Sequence, residues 1–159
     1  MKRLTVVLAA FLLGALNSHG THEQFTLIPT PLMHVSVPWG HVVLHPSDDV
    51  SIVSATVDYP AGVHVSGGED AGLIEFRISA GTATRSGGTL TVSYPSSTRV
   101  DARDEHGDIL LVVPQGSSET VAVHSSHLQI AQALHLVRDD ARAHVVLNAP
   151  QGTVFVEGA

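Results

Sequence analysis

The sequence predicts an all-β fold in a single domain, and two observations support this prediction. Beyond residue 20, Gly, Pro, Asn or Asp interrupts the chain every six to twelve residues, and the short segments between are rich in Val, Ile, Leu and Thr. Such segments are typical of strands joined by tight turns. Several of them alternate apolar and polar residues, which gives a strand one buried face. The chain has no cysteine, so burial and hydrogen bonding must stabilise it without disulfides.

The first twenty residues have the features of a secretory signal peptide. Lys2 and Arg3 precede an apolar segment over residues 4–16, and a short polar stretch ends at Gly20. This segment is shorter than the roughly 20 residues with which a helix crosses a membrane, so we expect cleavage rather than anchoring. Residues 1–20 are therefore predicted to be a signal peptide, and residues 21–159 an exported domain, periplasmic or extracellular, with no membrane span.

The exported domain is acidic. Six arginines and no lysine stand against fifteen Asp and Glu residues after position 20, which gives a net charge of −9 with histidine neutral. Such a surface repels phosphate backbones and anionic lipids. We therefore expect neither a nucleic acid nor a membrane surface as a partner.

Individual strands follow from alternation and from apolar runs. Alternation predicts half-buried strands at residues 63–65, 74–78, 90–94 and 121–124. Residues 109–113 are apolar at every position, which predicts a strand that is covered on both faces or meets a partner with its second face. Residues 128–137 fit either two short strands around residues 131–133 or one helical stripe, and we predict strands.

One phrase recurs along the chain. A glycine or histidine opens a short aliphatic strand, and a proline or glycine closes it. The five occurrences are residues 40–46, 88–95, 107–114, 144–150 and 152–158. Glycine allows a close approach at a strand entry, and proline ends the donation of hydrogen bonds at a strand exit. The phrase suits a stack of short strands joined by tight corners, and it also suits an antiparallel β-sandwich.

Two segments that contain this phrase are similar to segments of a known protein family. Residues 88–95 read GTLTVSYP, residues 107–123 read GDILLVVPQGSSETVAV, and Leu128-Gln129-Ile130 follows. In this the chain resembles the bacterial family of putative adhesins built from short β-strand repeats. The resemblance implies a single-stranded β-solenoid without established catalytic residues, serving as an extracytoplasmic scaffold or binding surface. The predicted fold is thus a solenoid-like stack of short strands, with the antiparallel β-sandwich as the alternative.

Histidine is enriched, with ten residues after the signal peptide, and this raises a zinc or copper hypothesis. The segment His124-Ser125-Ser126-His127 has HxxH spacing on a predicted turn, where two imidazoles could converge. His41 and His45 share a strand face but are about 13 Å apart, too far to chelate one ion. We favour solvated histidines over a dedicated site, and His124 and His127 are the candidate metal ligands.

Acidic residues cluster over residues 101–108, where a calcium loop would need several oxygens converging on one point. The segment lacks the Asp-x-Asp-x-Asp-Gly order, so we favour a hairpin turn kept soluble by its charge. Trp39, between Pro38 and Gly40, is predicted to plug the end of a core. No Gly-x-Ser-x-Gly elbow is present.

The sequence thus predicts a non-enzymatic exported protein with no cofactor and no catalytic residues. Its expected role is an adhesin-like scaffold or a surface that binds an unknown protein or surface ligand. The alternative is a periplasmic or extracellular protein that binds Zn or Cu through histidines. Open strand edges predict self-association.

Overall fold

The computed structural model describes residues 20–60, 62–79, 88–114, 119–131, 136–137 and 143–159. Within these ranges the chain forms twelve strands and no helix, so none of the described residues belongs to a membrane-spanning helix. The strands are β1 (Gly20–Leu27), β2 (Leu32–Val37), β3 (His41–Ser47), β4 (Val53–Pro60), β5 (His64–Asp70), β6 (Leu73–Ser79), β7 (Thr89–Pro95), β8 (Arg99–Asp104), β9 (Asp108–Val113), β10 (Glu119–Ile130), β11 (Leu136–Val137) and β12 (Val145–Gly158).

The strands lie in two rows that a long strand joins. Residues 145–148 of β12 pair with β8, and residues 154–158 of the same strand pair with β9. The first row has the order β5-β6-β2-β8-β12-β10. The second row has the order β1-β4-β7-β3-β9-β12-β10. Because β12 and β10 turn from one row into the other, the rows form one continuous hydrogen-bonded sheet.

Five segments of the chain each cross from the first row to the second, and we call them coils. They are β2 with β3, β6 with β7, β8 with β9, β10 by itself and β12 by itself. Along the stack the order is β6/β7, β2/β3, β8/β9, β12 and β10. Neighbouring coils in space are therefore not always consecutive in the chain.

The observed strand pairing confirms the predicted all-β fold. It confirms neither of the two predicted arrangements, the single-stranded solenoid and the antiparallel sandwich. Eight of the eleven strand pairings in the described ranges are parallel, unlike those of an antiparallel sandwich. The single-stranded solenoid is not confirmed either, because a simple solenoid places each coil beside the next one in the sequence. Antiparallel strands also extend the stack at the end that carries β1, β4 and β5.

Alternation along each strand builds the core. Buried side chains from both rows belong to one hydrophobic cluster, which lies between the rows. In β9, Ile109, Leu111 and Val113 are buried, whereas Leu110 and Val112 lie half-buried on the outer face. The first alternative for residues 109–113, a strand covered on both faces, is therefore wrong within the described chain, since apolar residues occupy the outer positions without full burial. The second alternative, that the outer face of β9 meets a partner, stays a prediction.

Two other local predictions agree with the structure. Residues 128–130 belong to β10 and residues 136–137 form β11, as the strand prediction for residues 128–137 requires, while residues 132–135 lie outside the described ranges. Trp39 is 4 % exposed and its ring lies 5.4 Å from that of Tyr59, so it packs into the end of the core as predicted.

Candidate functional site

Polar side chains form a line across the outer face of the second row, and we call this line the polar row. Strand register places its members side by side on seven successive strands. In spatial order they are His22, Asp58, Thr89, His41, Asp108, Thr153 and His127. Because adjacent strands are about 4.8 Å apart, the polar row offers hydrogen-bonding groups at regular short intervals.

Contacts within the polar row fix several of its members. The Nδ1 atom of His22 contacts a carboxylate oxygen of Asp58. The Nδ1 atom of His41 lies 3.9 Å from Oδ2 of Asp108, and both side chains are more than one-third exposed. The other oxygen of Asp108 accepts a 2.7 Å hydrogen bond from the backbone N–H of Thr153. The aspartates therefore link neighbouring strands while their side chains stay accessible.

An apolar line borders part of the polar row. Val43, Leu110 and Phe155 are register neighbours on β3, β9 and β12, and each is half-buried on the outer face. Beyond Val43 the register continues through Thr91 and Thr56 to the exposed Gln24 on β1. Beyond Phe155 it reaches the exposed Gln129 on β10. The outer face thus combines a hydrogen-bonding line with a neighbouring apolar patch.

Glycines stack at the corner between the two rows. A Cβ atom on Gly107 would overlap the carbonyl oxygen of Gly40, and a Cβ atom on Gly152 would overlap the carbonyl oxygen of Gly107. Hydrogen bonds run along this corner, from His41 N–H to Gly88 O at 2.8 Å and from Asp108 N–H to Gly40 O at 3.2 Å. Only glycine permits such a close approach of successive coils.

Because the glycines at this corner have no side chains, the surface there contains a shallow groove of about 290 Å³. Its lining residues are Trp39, Gly40, His41, His106, Gly107, Asp108, Gln151 and Gly152. The Nδ1 atom of His106 lies 2.8 Å from Oε1 of Gln151, which ties two coils together across the groove. The groove adjoins the polar row, since His41 and Asp108 belong to both.

Beneath the corner lies a buried carboxyl group, Asp104. It is fully buried, and neither of its oxygens has a hydrogen-bond partner among the described residues. Burial raises the pKa of Asp104 to about 7, and the negative charges of Asp108 and Glu105 add to this rise. The backbone N–H of His106, which donates a hydrogen bond to Pro38 O at 3.1 Å, offsets only part of the rise in the pKa of Asp104.

Tyr59 lies near Asp104, and Trp39 packs against Tyr59. The hydroxyl of Tyr59 donates a hydrogen bond to the carbonyl oxygen of Trp39 at 3.1 Å. Burial raises the pKa of Tyr59, and the nearby Asp104 carboxylate raises it further. The indole N–H of Trp39 is buried without a partner in the described part of the chain. This corner of the core is thus polar and incompletely hydrogen-bonded.

A second polar cluster lies at the opposite side of the stack. Burial raises the pKa of Glu119, the charge of Asp48 adds to the rise, and the imidazole of His144 opposes it. Tyr94 is fully buried near Glu119, and burial raises the pKa of its hydroxyl. The Nε2 atom of His144 lies 2.8 Å from the carbonyl oxygen of Ser96.

The predicted metal ligands lie on either side of the bend in β10. His124 faces Asn148 in register and His127 faces Thr153, with a register shift between the two. Both side chains are exposed. Among the described residues no three His, Cys, Asp or Glu side chains form a group that could hold a metal ion. The structure therefore brings no third ligand to His124 and His127 within those residues.

The acidic segment over residues 101–108 disperses its carboxylates instead of gathering them. Asp101 is exposed on the outer face of β8, Asp104 is in the core, and Glu105 pairs with Arg103 at 2.7 Å. The segment is a corner rather than the predicted hairpin, because β8 and β9 belong to different rows and pair with other strands. A calcium loop does not form there.

Sequence reasoning missed both Asp104 and the polar row. A signal for Asp104 was present, since Val100, Ala102 and Asp104 alternate along one strand and the first two face the core. No comparable sequence pattern predicts the polar row. Its members come from strands far apart in the sequence and meet only through the order of the coils.

The comparisons with known proteins give structural similarity alone. No family model and no curated protein matches the chain. Solved structures resemble it, however. One is a putative cell adhesion protein from Clostridium sporogenes, with 6 % identity, a TM-score of 0.39, and coverage of 87 % of this chain and 100 % of that one.

Two further solved structures are putative adhesins. The protein from Bacteroides fragilis shares 8 % identity at a TM-score of 0.39, over 88 % of this chain and 97 % of that one. The protein from Parabacteroides distasonis shares 10 % identity at a TM-score of 0.41, over 89 % of this chain and 67 % of that one. The chain thus bears a weak resemblance to putative adhesins.

Proposed function

We propose that this chain is an exported, adhesin-like scaffold that binds a neutral polysaccharide through the polar row. The predicted signal peptide supports export. The observation that carries the proposal is the alignment of seven hydrogen-bonding residues on seven successive strands of one outer face. A ligand that is itself extended can contact several of them at once, and linked weak contacts add up to useful affinity.

The chemistry of the row favours a polyhydroxylated ligand. Aspartate accepts hydrogen bonds, whereas threonine and histidine can both donate and accept them, so a ligand with many hydroxyl groups suits all three. The net charge of −9, from six arginines against fifteen acidic residues after position 20, opposes a polyanionic ligand. The apolar line of Val43, Leu110 and Phe155 offers a surface for the C–H faces of sugar rings.

A binding role fits the described chemistry better than catalysis. Asp104 has a pKa near neutrality, as a general acid or base would require, yet it is fully buried in the core. A carboxyl group that no substrate can reach does not serve as a catalytic residue. We therefore propose a non-enzymatic protein.

The proposal is tested by sedimentation of the mature protein with three insoluble neutral polysaccharides, cellulose, chitin and a β-1,3-glucan. We expect retention on at least one of them, and a weakening of roughly tenfold when His41→Ala and His127→Ala are combined, because two hydrogen-bonding groups are lost. The matched control combines His34→Ala and His64→Ala, which removes two histidines from the first row.

The control variant is expected to bind as the wild type does. The proposal is overturned if the wild type stays in solution with all three polysaccharides. It is equally overturned if the first-row control loses as much binding as the polar-row variant.

A further inference from the structure

The two ends of the stack differ in the strands that lie at their edges. At one end β5 folds back antiparallel on β6, and β1 folds antiparallel on β4. The rings of Phe25 and Phe76 meet there edge to face at 5.8 Å, which joins the two rows. At the other end the last coil within the described residues is β10.

The outer edge of β10 has backbone groups directed away from its neighbour. β10 pairs with β12 along one side, while on its other side the pairing seen in the described residues is that of Glu119 and Thr120 with β11. The N–H of Ala131 donates to Val156 O at 2.9 Å, on the β12 side. Because backbone groups alternate in direction along a strand, those of Leu128 and Ile130 point away from β12.

The core is also less well covered at this end. Val123, Leu128 and Ile130 are partly buried hydrophobic residues that pack against the core from β10. Their register neighbours on β12 are Leu147, Val154 and Val156, which are at most 1 % exposed. A strand added beyond β10 would bury the side chains of β10 further, as β10 buries those of β12.

The edge of β10 lacks the charges that normally protect such strands. From Thr120 to Ala131 the sequence contains no Asp, Glu, Lys or Arg. Edge strands usually carry charges that prevent pairing between copies, and the edge strand β5 ends in Glu69 and Asp70. Two copies with a net charge of −9 each can approach with least repulsion where the edge itself is uncharged.

We infer that the second-row part of β10, residues 127–131, pairs antiparallel with the same segment of a second copy across a two-fold axis. In this register Leu128 of one copy lies opposite Ile130 of the other, and each pair exchanges two backbone hydrogen bonds. Gln129 lies opposite Gln129 on the axis. The second row then continues from one copy into the other, and so does the outer face that carries the polar row.

Substitution of two exposed glutamines tests this inference. Gln129 on β10 and Gln24 on β1 occupy the same outer line at opposite ends of the stack. We expect the mature wild type and the Gln24→Lys variant to form dimers in analytical ultracentrifugation at high concentration. Gln129→Lys is expected to weaken dimerisation by roughly tenfold or more, because like charges then lie directly opposite each other.

A cysteine variant tests the register without weakening the contact. The chain has no cysteine, so Gln129→Cys introduces a single thiol. In the inferred register the two Gln129 residues form a non-hydrogen-bonded antiparallel pair. The Cα atoms of such a pair are about 4.5 Å apart, within the range of a disulfide. We expect Gln129→Cys to form a covalent dimer on mild oxidation and Gln24→Cys to form no covalent dimer.

Several outcomes overturn the inference. They are a wild type that is monomeric at millimolar concentration, a Gln24→Lys variant that disrupts the dimer while Gln129→Lys does not, and cross-linking through Gln24→Cys alone. Circular dichroism of each variant shows whether the fold is kept. Binding to polysaccharide is measured separately, so a monomer that still binds leaves the proposed function intact.

Discussion

The pKa of Asp104 depends on the position of this residue in the stack. It occupies an inward position opposite Val37 in register, where the neighbouring coils supply apolar side chains and no hydrogen-bond donor for its oxygens among the described residues. Burying a charged carboxylate there is costly, so the group holds its proton up to near-neutral pH. The raised pKa of Asp104 is therefore a consequence of the core and not of a catalytic site.

The pH dependence of stability tests this account of Asp104. Its pKa is about 7 in the folded protein against an ordinary value of 3.8, so folding strengthens proton binding. The stabilisation is complete below pH 3.8 and is lost as the pH rises to about 7. We expect this group to lower the free energy of unfolding by roughly 2 to 4 kcal/mol across that window.

Asp104→Asn should remove this component, as measured by urea unfolding at several pH values between 4 and 8. Asp101→Asn, which alters an exposed carboxyl group on the same strand, should keep the wild-type slope. Part of the slope remains in Asp104→Asn, because burial also raises the pKa of Glu119. Equal slopes in the wild type and Asp104→Asn would contradict the account.

At the scale of elements, alternation and corner glycines determine where each strand lies. The recurrent phrase places a glycine at the entry of β3, β7 and β9, and Gly40, Gly88 and Gly107 lie there against neighbouring backbone or a side chain. The sequence therefore predicted the strand entries and their physical reason. It did not reveal that outer positions of β9 would be half-exposed, because apolar residues fill both faces of that strand.

Gly107→Ala tests the close approach of coils at the corner. The added Cβ would overlap Gly40 O and lie 2.7 and 2.9 Å from the two carboxylate oxygens of Asp104. We expect a loss of roughly 2 to 3 kcal/mol in the free energy of unfolding, since backbone atoms must shift. The measurement is chemical denaturation at fixed pH.

Gly68→Ala on β5 is the matched control for this substitution. A Cβ there would meet nothing within 4 Å. Its stability should stay within about 0.5 kcal/mol of the wild type. A Gly107→Ala variant as stable as the Gly68→Ala variant would show that the corner does not require glycine.

At the scale of the whole molecule, the order of the coils creates the candidate site. His41 and Asp108 are neighbours because β3 lies beside β9, and Thr153 meets His127 because β12 lies beside β10. Sequence analysis could predict the class of fold, since turn spacing and alternation are local properties. It could not predict the polar row, because non-consecutive coils become neighbours only through long-range pairing.

Paired cysteines test the order of the coils most directly, because the natural chain has none. Leu110 on β9 is the register neighbour of Phe155 on β12, and Phe155 separates it from Gln129 on β10. Neighbouring strands lie about 4.8 Å apart, within disulfide range, whereas strands two positions apart do not. Mass spectrometry of the oxidised proteins should therefore show an intramolecular disulfide in Leu110→Cys with Phe155→Cys and none in Leu110→Cys with Gln129→Cys. The reverse result would place β10 beside β9, as in a stack that follows the sequence, and would contradict the arrangement on which the polar row depends.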